Sequence, residues 1–255
     1  MCALADAKTT FPHDYRVLFT GPELPVVVGG QAVNLWAITY LENDQVSGLV
    51  TRFGSGDMDI VNSKAVVEFI KTLPDWHYEP TPLKNFGDIR IGAARGVTDD
   101  GRKLLVEVLH HVHGLEPQDL VDAEIEYAGT IYRMLDPIAL LKAKAANLRD
   151  FKQDEDPPRH DAEHLRLIAR CLPAYLADVA SQDDLSIKAQ RNQLKTISRC
   201  FALLADKKIA SLLREQGIEP SSLIPPTLAS SSNEKIRNAY LHQMPLLSRA
   251  PGDPA

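Results

Sequence analysis

The stretch Val26-Val27-Val28-Gly29-Gly30-Gln31-Ala32 decides how the first half of the chain is read. Three β-branched residues in a row signal a buried strand, and two glycines close it. Gln31 to Leu41 then predicts a helix, with Ala32, Leu35, Trp36 and Thr39 near one face. Downstream, Asp57-Met58-Asp59-Ile60-Val61 alternates with period two, as a half-buried strand does. Ser63 to Leu73 is a second amphipathic helix, ended by Pro74. Asp88 to Val97 and Arg102 to Val112 are strand-like runs joined by Thr98-Asp99-Asp100-Gly101, a hairpin signal. A third short pair, Glu124 to Tyr127 and Ile131 to Met134, flanks Gly129. Strands and helices in this order predict an α/β (α+β) domain built on a mixed sheet.

From Asp136 onward the pattern turns helical. Asp136-Pro137 is a cap acid followed by proline at the first helical position, and Ile138, Leu141, Ala145 and Leu148 recur at helical spacing. Further helices are expected from about Arg159, kinked or divided at Pro173, over about Asp184 to Leu204, up to Gly217, and over Asn233 to Leu247. The organisation expected is a sheet domain over residues 1–135, a helical domain over 136–248 and a tail over 249–255.

With 28 Lys and Arg against 34 Asp and Glu, the 255-residue chain carries a net charge of −6. That excludes a whole-protein basic field of the kind that binds nucleic acid indiscriminately. It does not exclude a selective RNA acceptor at a local basic rim of Arg52, Lys142, Lys144, Arg149 and Lys152. Cys2, Cys171 and Cys200 are odd in number and far apart, which argues against a disulfide framework and for a reducing cytoplasm. No apolar run approaches the roughly 20 residues a membrane span needs, so no membrane partner is expected.

The chemistry lies in the acids. Asp57 and Asp59 share one face of a strand, where two carboxylates repel unless a cation lies between them. Magnesium prefers such hard oxygens and keeps waters that phosphates can replace. Taken alone, an Asp-x-Asp is more often a solvated strand edge. Glu107, however, is the lone acid in Leu104-Leu105-Val106-Glu107-Val108-Leu109, and an acid in an apolar run is costly without a partner or a metal. If its strand lies near Asp57, three carboxylates converge. Gly29-Gly30 at a strand-to-helix junction lets backbone amides approach a phosphate at the positive end of the helix. Together these parts describe a site for a nucleoside triphosphate (NTP) with two Mg2+ ions. Each lysine of the helix after Asp136-Pro137, taken singly, reads first as a solvated helix face; on the functional reading Lys142, on the second turn, is the preferred point charge for the triphosphate.

The string Val28-Gly29-Gly30-Gln31-Ala32, then Thr51-Arg52-Phe53-Gly54-Ser55-Gly56-Asp57-Met58-Asp59-Ile60, resembles the signature of the DNA polymerase β-like nucleotidyltransferase superfamily. Glu107 falls at that signature's third acid. Within the superfamily the chain is most similar to the AbiEii-type toxin enzymes, with Arg52 and Ser55 where their motif has its Arg and its Ser or Thr. The later part, Asp136-Pro137 to Asn147 followed by Asp161 and His164, is similar to the helix with its Lys and Asp in such proteins. The resemblance implies a nucleotidyltransferase fold. It also implies Mg2+-dependent transfer of a nucleoside monophosphate (NMP) to an acceptor hydroxyl, on RNA or a tRNA end first, then protein or a small molecule. Asp57, Asp59 and Glu107 would be catalytic and metal-binding; Gly29, Gly30, Arg52 and Ser55 would bind the nucleotide. A toxin role with an antitoxin protein is implied as well.

Other signals read more plainly. His110, His111 and His113 lack the further donor of a tetrahedral metal set and read as a polar strand end. Asp161 and His164 are expected at an ordinary surface, and Trp36 in the core. Arg52 to Gly56 is polar and glycine-rich, unlike the apolar strand that precedes the nucleophile of aspartyl-phosphate phosphatases. The rival from another class is a non-catalytic nucleotide- or partner-binding protein that has kept the fold.

Overall fold

A computed structural model describes residues 10–41, 56–82, 89–154, 159–182 and 186–247. The chain divides into two compact units, Met1–Ala143 and Lys144–Ala255. Within the first, strands β1 (Val26–Val28), β2 (Met58–Val61), β3 (His77–Pro80), β4 (Arg90–Val97), β5 (Lys103–Leu109), β6 (Asp122–Tyr127) and β7 (Thr130–Leu135) form one mixed sheet. Its order is β3-β4-β5-β2-β1-β7-β6. β1 runs antiparallel to β2 and parallel to β7, while β2 and β5 are parallel. This is the mixed α/β class that the residue pattern predicts.

The two faces of the sheet differ. Met58, Ile60, Leu104, Val106, Val108 and Ala94 are buried on one face, which α2 (Lys64–Thr72) covers. The ammonium of Lys71 from α2 lies 5.4 Å from the ring of Tyr78, and that ring leaves no room for a Cβ at Gly92. The other face carries Asp57, Asp59 and Glu107, all half-buried, with Arg95 exposed beyond them. Period two is therefore real in β2, and it separates a buried apolar set from a polar one.

Helix α1 (Gly29–Tyr40) starts on Gly29 itself, two residues earlier than the periodicity suggests, because glycine supports the positive φ at which the strand turns into the helix. Trp36 is buried as expected, its indole N–H donating to the carbonyl of Leu135 at 2.9 Å. α2 opens on the Ser63 cap. Two elements of the first unit show why some structure escaped the sequence pattern. A 3-10 helix over Pro12–Thr20 buries Tyr15, Leu18 and Phe19. The edge strand β3 is largely exposed and ends in a proline, so it has no apolar alternation to find.

Asp136 caps α3 (Pro137–Asp150) by accepting from the amide of Ala139 at 2.9 Å. The division between units falls within this helix. The second unit continues with α4 (Asp161–Ser181), α5 (Ile187–Ala205), α6 (Lys207–Glu215) and α7 (Glu234–Leu247). Pro173 does not divide α4, because Leu165, Ile168, Leu172 and Leu176 keep one buried stripe running past it. Among the described residues, no helix is long and apolar enough to cross a membrane.

Candidate active site

The parallel pairing of β2 with β5 sets Asp59 directly beside Glu107, and the antiparallel pairing of β1 with β2 sets Val28 beside Asp59. Paired residues share a face, and Asp57 stands two residues before Asp59, so three carboxylates meet on one side of the sheet. One carboxylate oxygen from each of Asp57, Asp59 and Glu107 lies within 4.8 Å of the others. Among the described residues this is the group that offers three such donors together. All are hard oxygens, at separations that one or two divalent cations can bridge with small side-chain movements. These three residues were anticipated from the sequence, and the structure brings them together.

Gly29 belongs to the same construction. Its φ is +67°, and a Cβ placed on it would lie 2.1 Å from Oδ2 of Asp59 and 3.0 Å from its Cγ. The glycine therefore lets the helix begin against the carboxylate itself. The first turn of α1 holds no acid and Val28 offers no capping side chain, so the negative charge set against the positive end of the helix is that of Asp59. Gly30 follows inside that turn and is buried. Behind the site, the hydroxyls of Tyr15 and Thr10 lie 3.0 Å apart, and Gln31 donates to the Thr10 carbonyl at 3.0 Å. Burial pushes the Tyr15 phenol up to about 12; the Thr10 hydroxyl works against this, and the negative charge of Asp57 adds to it. Tyr15 is thus a neutral buried support beside the acids.

On the far side of Glu107, an arginine closes the row. The guanidinium of Arg90 donates to Oε1 of Glu107 at 2.5 Å. Nothing in the local pattern around Arg90 announces this, because it depends on an irregularity between β4 and β5.

The remaining anticipated residues fare differently. Arg52 and Ser55 lie outside the described residues. Lys142 is engaged by Asp119, its ammonium donating at 2.7 Å. β5 ends at Leu109, so His110, His111 and His113 follow the strand rather than extend it.

Asp161 and His164 overturn the expectation of an ordinary surface. The carboxylate of Asp161 is buried and accepts from Lys144 at 3.0 Å, Asn147 at 3.2 Å and Arg159 at 2.8 Å. Burial alone would raise its pKa, but the Lys144 charge and these donors together hold it at about 2. Desolvation, with the Lys144 charge adding to it, lowers the His164 imidazole to about 3, so it is neutral at ordinary pH. A surface ion pair and a buried one look alike in sequence, and only packing distinguishes them.

No protein-family model and no curated protein matches the chain. Among solved structures it is similar to an antigenic nucleotidyltransferase-like protein from Paracoccidioides brasiliensis, at 17% identity. The likeness covers 80% of this chain and 86% of that one, with a TM-score of 0.42.

Proposed function

We propose that the protein is a metal-dependent nucleotidyltransferase. The observation that carries this is the convergence of Asp57, Asp59 and Glu107 within 4.8 Å, beside a helix that opens on Gly29. Asp57 and Asp59 would hold Mg2+, with Glu107 completing the set. The bound cations would offset the triphosphate's charge and make an acceptor hydroxyl easier to deprotonate. The amides at Gly29 and Gly30 would receive the phosphates, favoured by the helix dipole. Glu107 takes the proton of the acceptor hydroxyl. The acceptor oxygen bonds to the α-phosphorus while the bond from that phosphorus to the bridging oxygen breaks, and pyrophosphate leaves. Arg52, Ser55 and Lys142 are assigned to the nucleotide by the same proposal.

An RNA 3′ end is the acceptor placed first, ahead of a protein hydroxyl or a small molecule. A toxin role with a partner antitoxin belongs to this reading and rests on the sequence resemblance. The test is incubation of the protein with each labelled NTP, Mg2+ and total RNA, alongside the Asp57→Ala variant. Label should pass to RNA with the native protein and not with the variant. Transfer that survives the substitution would sink the mechanism. Absence of transfer to any acceptor, with nucleotide still bound, would leave a binding protein.

A further inference from the structure

We infer that Arg90 is the acceptor-binding residue: an arginine that Glu107 holds until cations claim that carboxylate, and that then pairs with a phosphate of the acceptor strand. The inference rests on the proposed nucleotidyl-transfer site and specifies how that site takes an anionic acceptor.

Three observations carry it. The first is register. Ala93 pairs with Glu107, so strict alternation would turn Arg90, three residues away, to the opposite face. The pairing shifts between Arg90 and Gly92: Gly92 faces Val108, yet Arg90 faces Leu109. Ile91 is the extra residue of a β-bulge, and the bulge returns Arg90 to the carboxylate face. The second is position. Across the sheet the order is Gly29, Asp59, Glu107, Arg90, because β1, β2, β5 and β4 are successive neighbours. The glycine end suits the triphosphate, so Arg90 lies on the opposite flank, where the acceptor must enter for in-line attack. The third is charge. Arg90 bonds Glu107 at 2.5 Å and keeps a side chain 39% exposed. Once Glu107 is shared with a divalent cation, an arginine beside it stands next to positive charge. An incoming phosphate removes that repulsion, and guanidinium matches phosphate geometry.

Two measurements on the full chain test this, with Arg90→Ala and Arg90→Lys checked for unchanged unfolding temperature. Mn2+ binding is followed by electron paramagnetic resonance. Binding of a fluorescently labelled 12-nucleotide single-stranded RNA is followed by anisotropy, with Mn2+ and a non-hydrolysable NTP present. Arg90→Ala should bind Mn2+ a few-fold more tightly, since a competitor for Glu107 is gone. It should bind the RNA about tenfold more weakly, the worth of one charge-assisted hydrogen bond, and Arg90→Lys should recover part of that loss. Native protein that binds no Mn2+ would remove the metal-site reading and this inference together. Native protein that binds Mn2+ but not the RNA, or an Arg90→Ala variant unchanged in RNA binding, would overturn the inference alone. Weaker Mn2+ binding by Arg90→Ala would also overturn it, since Arg90 would then serve only to brace Glu107.

Discussion

Replacing Gly29 by alanine separates what the glycine does for the fold from what it does for the site. The backbone there has φ +67°, a conformation that costs a residue with a Cβ roughly 1–2 kcal/mol. For a chain of this size that corresponds to a fall of about 2–8 °C in unfolding temperature. The new methyl group would also sit 2.1 Å from Oδ2 of Asp59, with Cγ at 3.0 Å and Cβ at 3.2 Å. The terminal oxygen can swing away, but only by turning the side chain out of the three-carboxylate group. Stability should therefore fall modestly while Mn2+ affinity falls by at least about tenfold, the range seen when a group that orients a metal ligand is lost. Thermal unfolding and Mn2+ titration on one preparation measure both. Native-like Mn2+ affinity in a folded Gly29→Ala protein would show that the close approach to Asp59 does not set the carboxylate's position.

In the second unit, Asp161→Asn leaves Lys144 buried without its counter-charge and should cost about 3–5 kcal/mol in urea unfolding. Adding Lys144→Met should recover part of that loss, and a single variant within about 0.5 kcal/mol of native would refute the pairing. The pH dependence follows from His164 and Asp161. The histidine stays neutral in the fold down to about 3, whereas an unfolded one protonates near 6.5, so the unfolded state binds the extra proton between those values. Stability should fall with acid through that window by up to about 1.4 kcal/mol per pH unit, and His164→Leu should flatten the slope. The Asp161 contribution is fully present above about 3.8 and is lost as pH drops toward 2. Cys171 and Cys200 are buried and their thiols are pushed up to about 12, so neither should react with a disulfide reagent at pH 8 until guanidinium unfolds the protein.

The sequence by itself determined that Asp57 and Asp59 share a face, because side-chain direction in a strand depends only on local alternation. It also marked Glu107 as an anomaly, since a lone acid in an apolar run calls for a partner, and it placed a strand-to-helix junction at Gly29-Gly30. What it did not contain was neighbourhood. That β5 would lie parallel to β2, with Glu107 level with Asp59, depends on a pairing across α2, β3 and β4 that no local pattern encodes. The same holds for Asp161, whose carboxylate reads as a surface acid until α3 and α4 bury it against Lys144. Arg90 is the sharpest case. Counting by twos assigns it to the wrong face, and only the bulge at Ile91, a property of two paired strands rather than of either one, returns it to the acids.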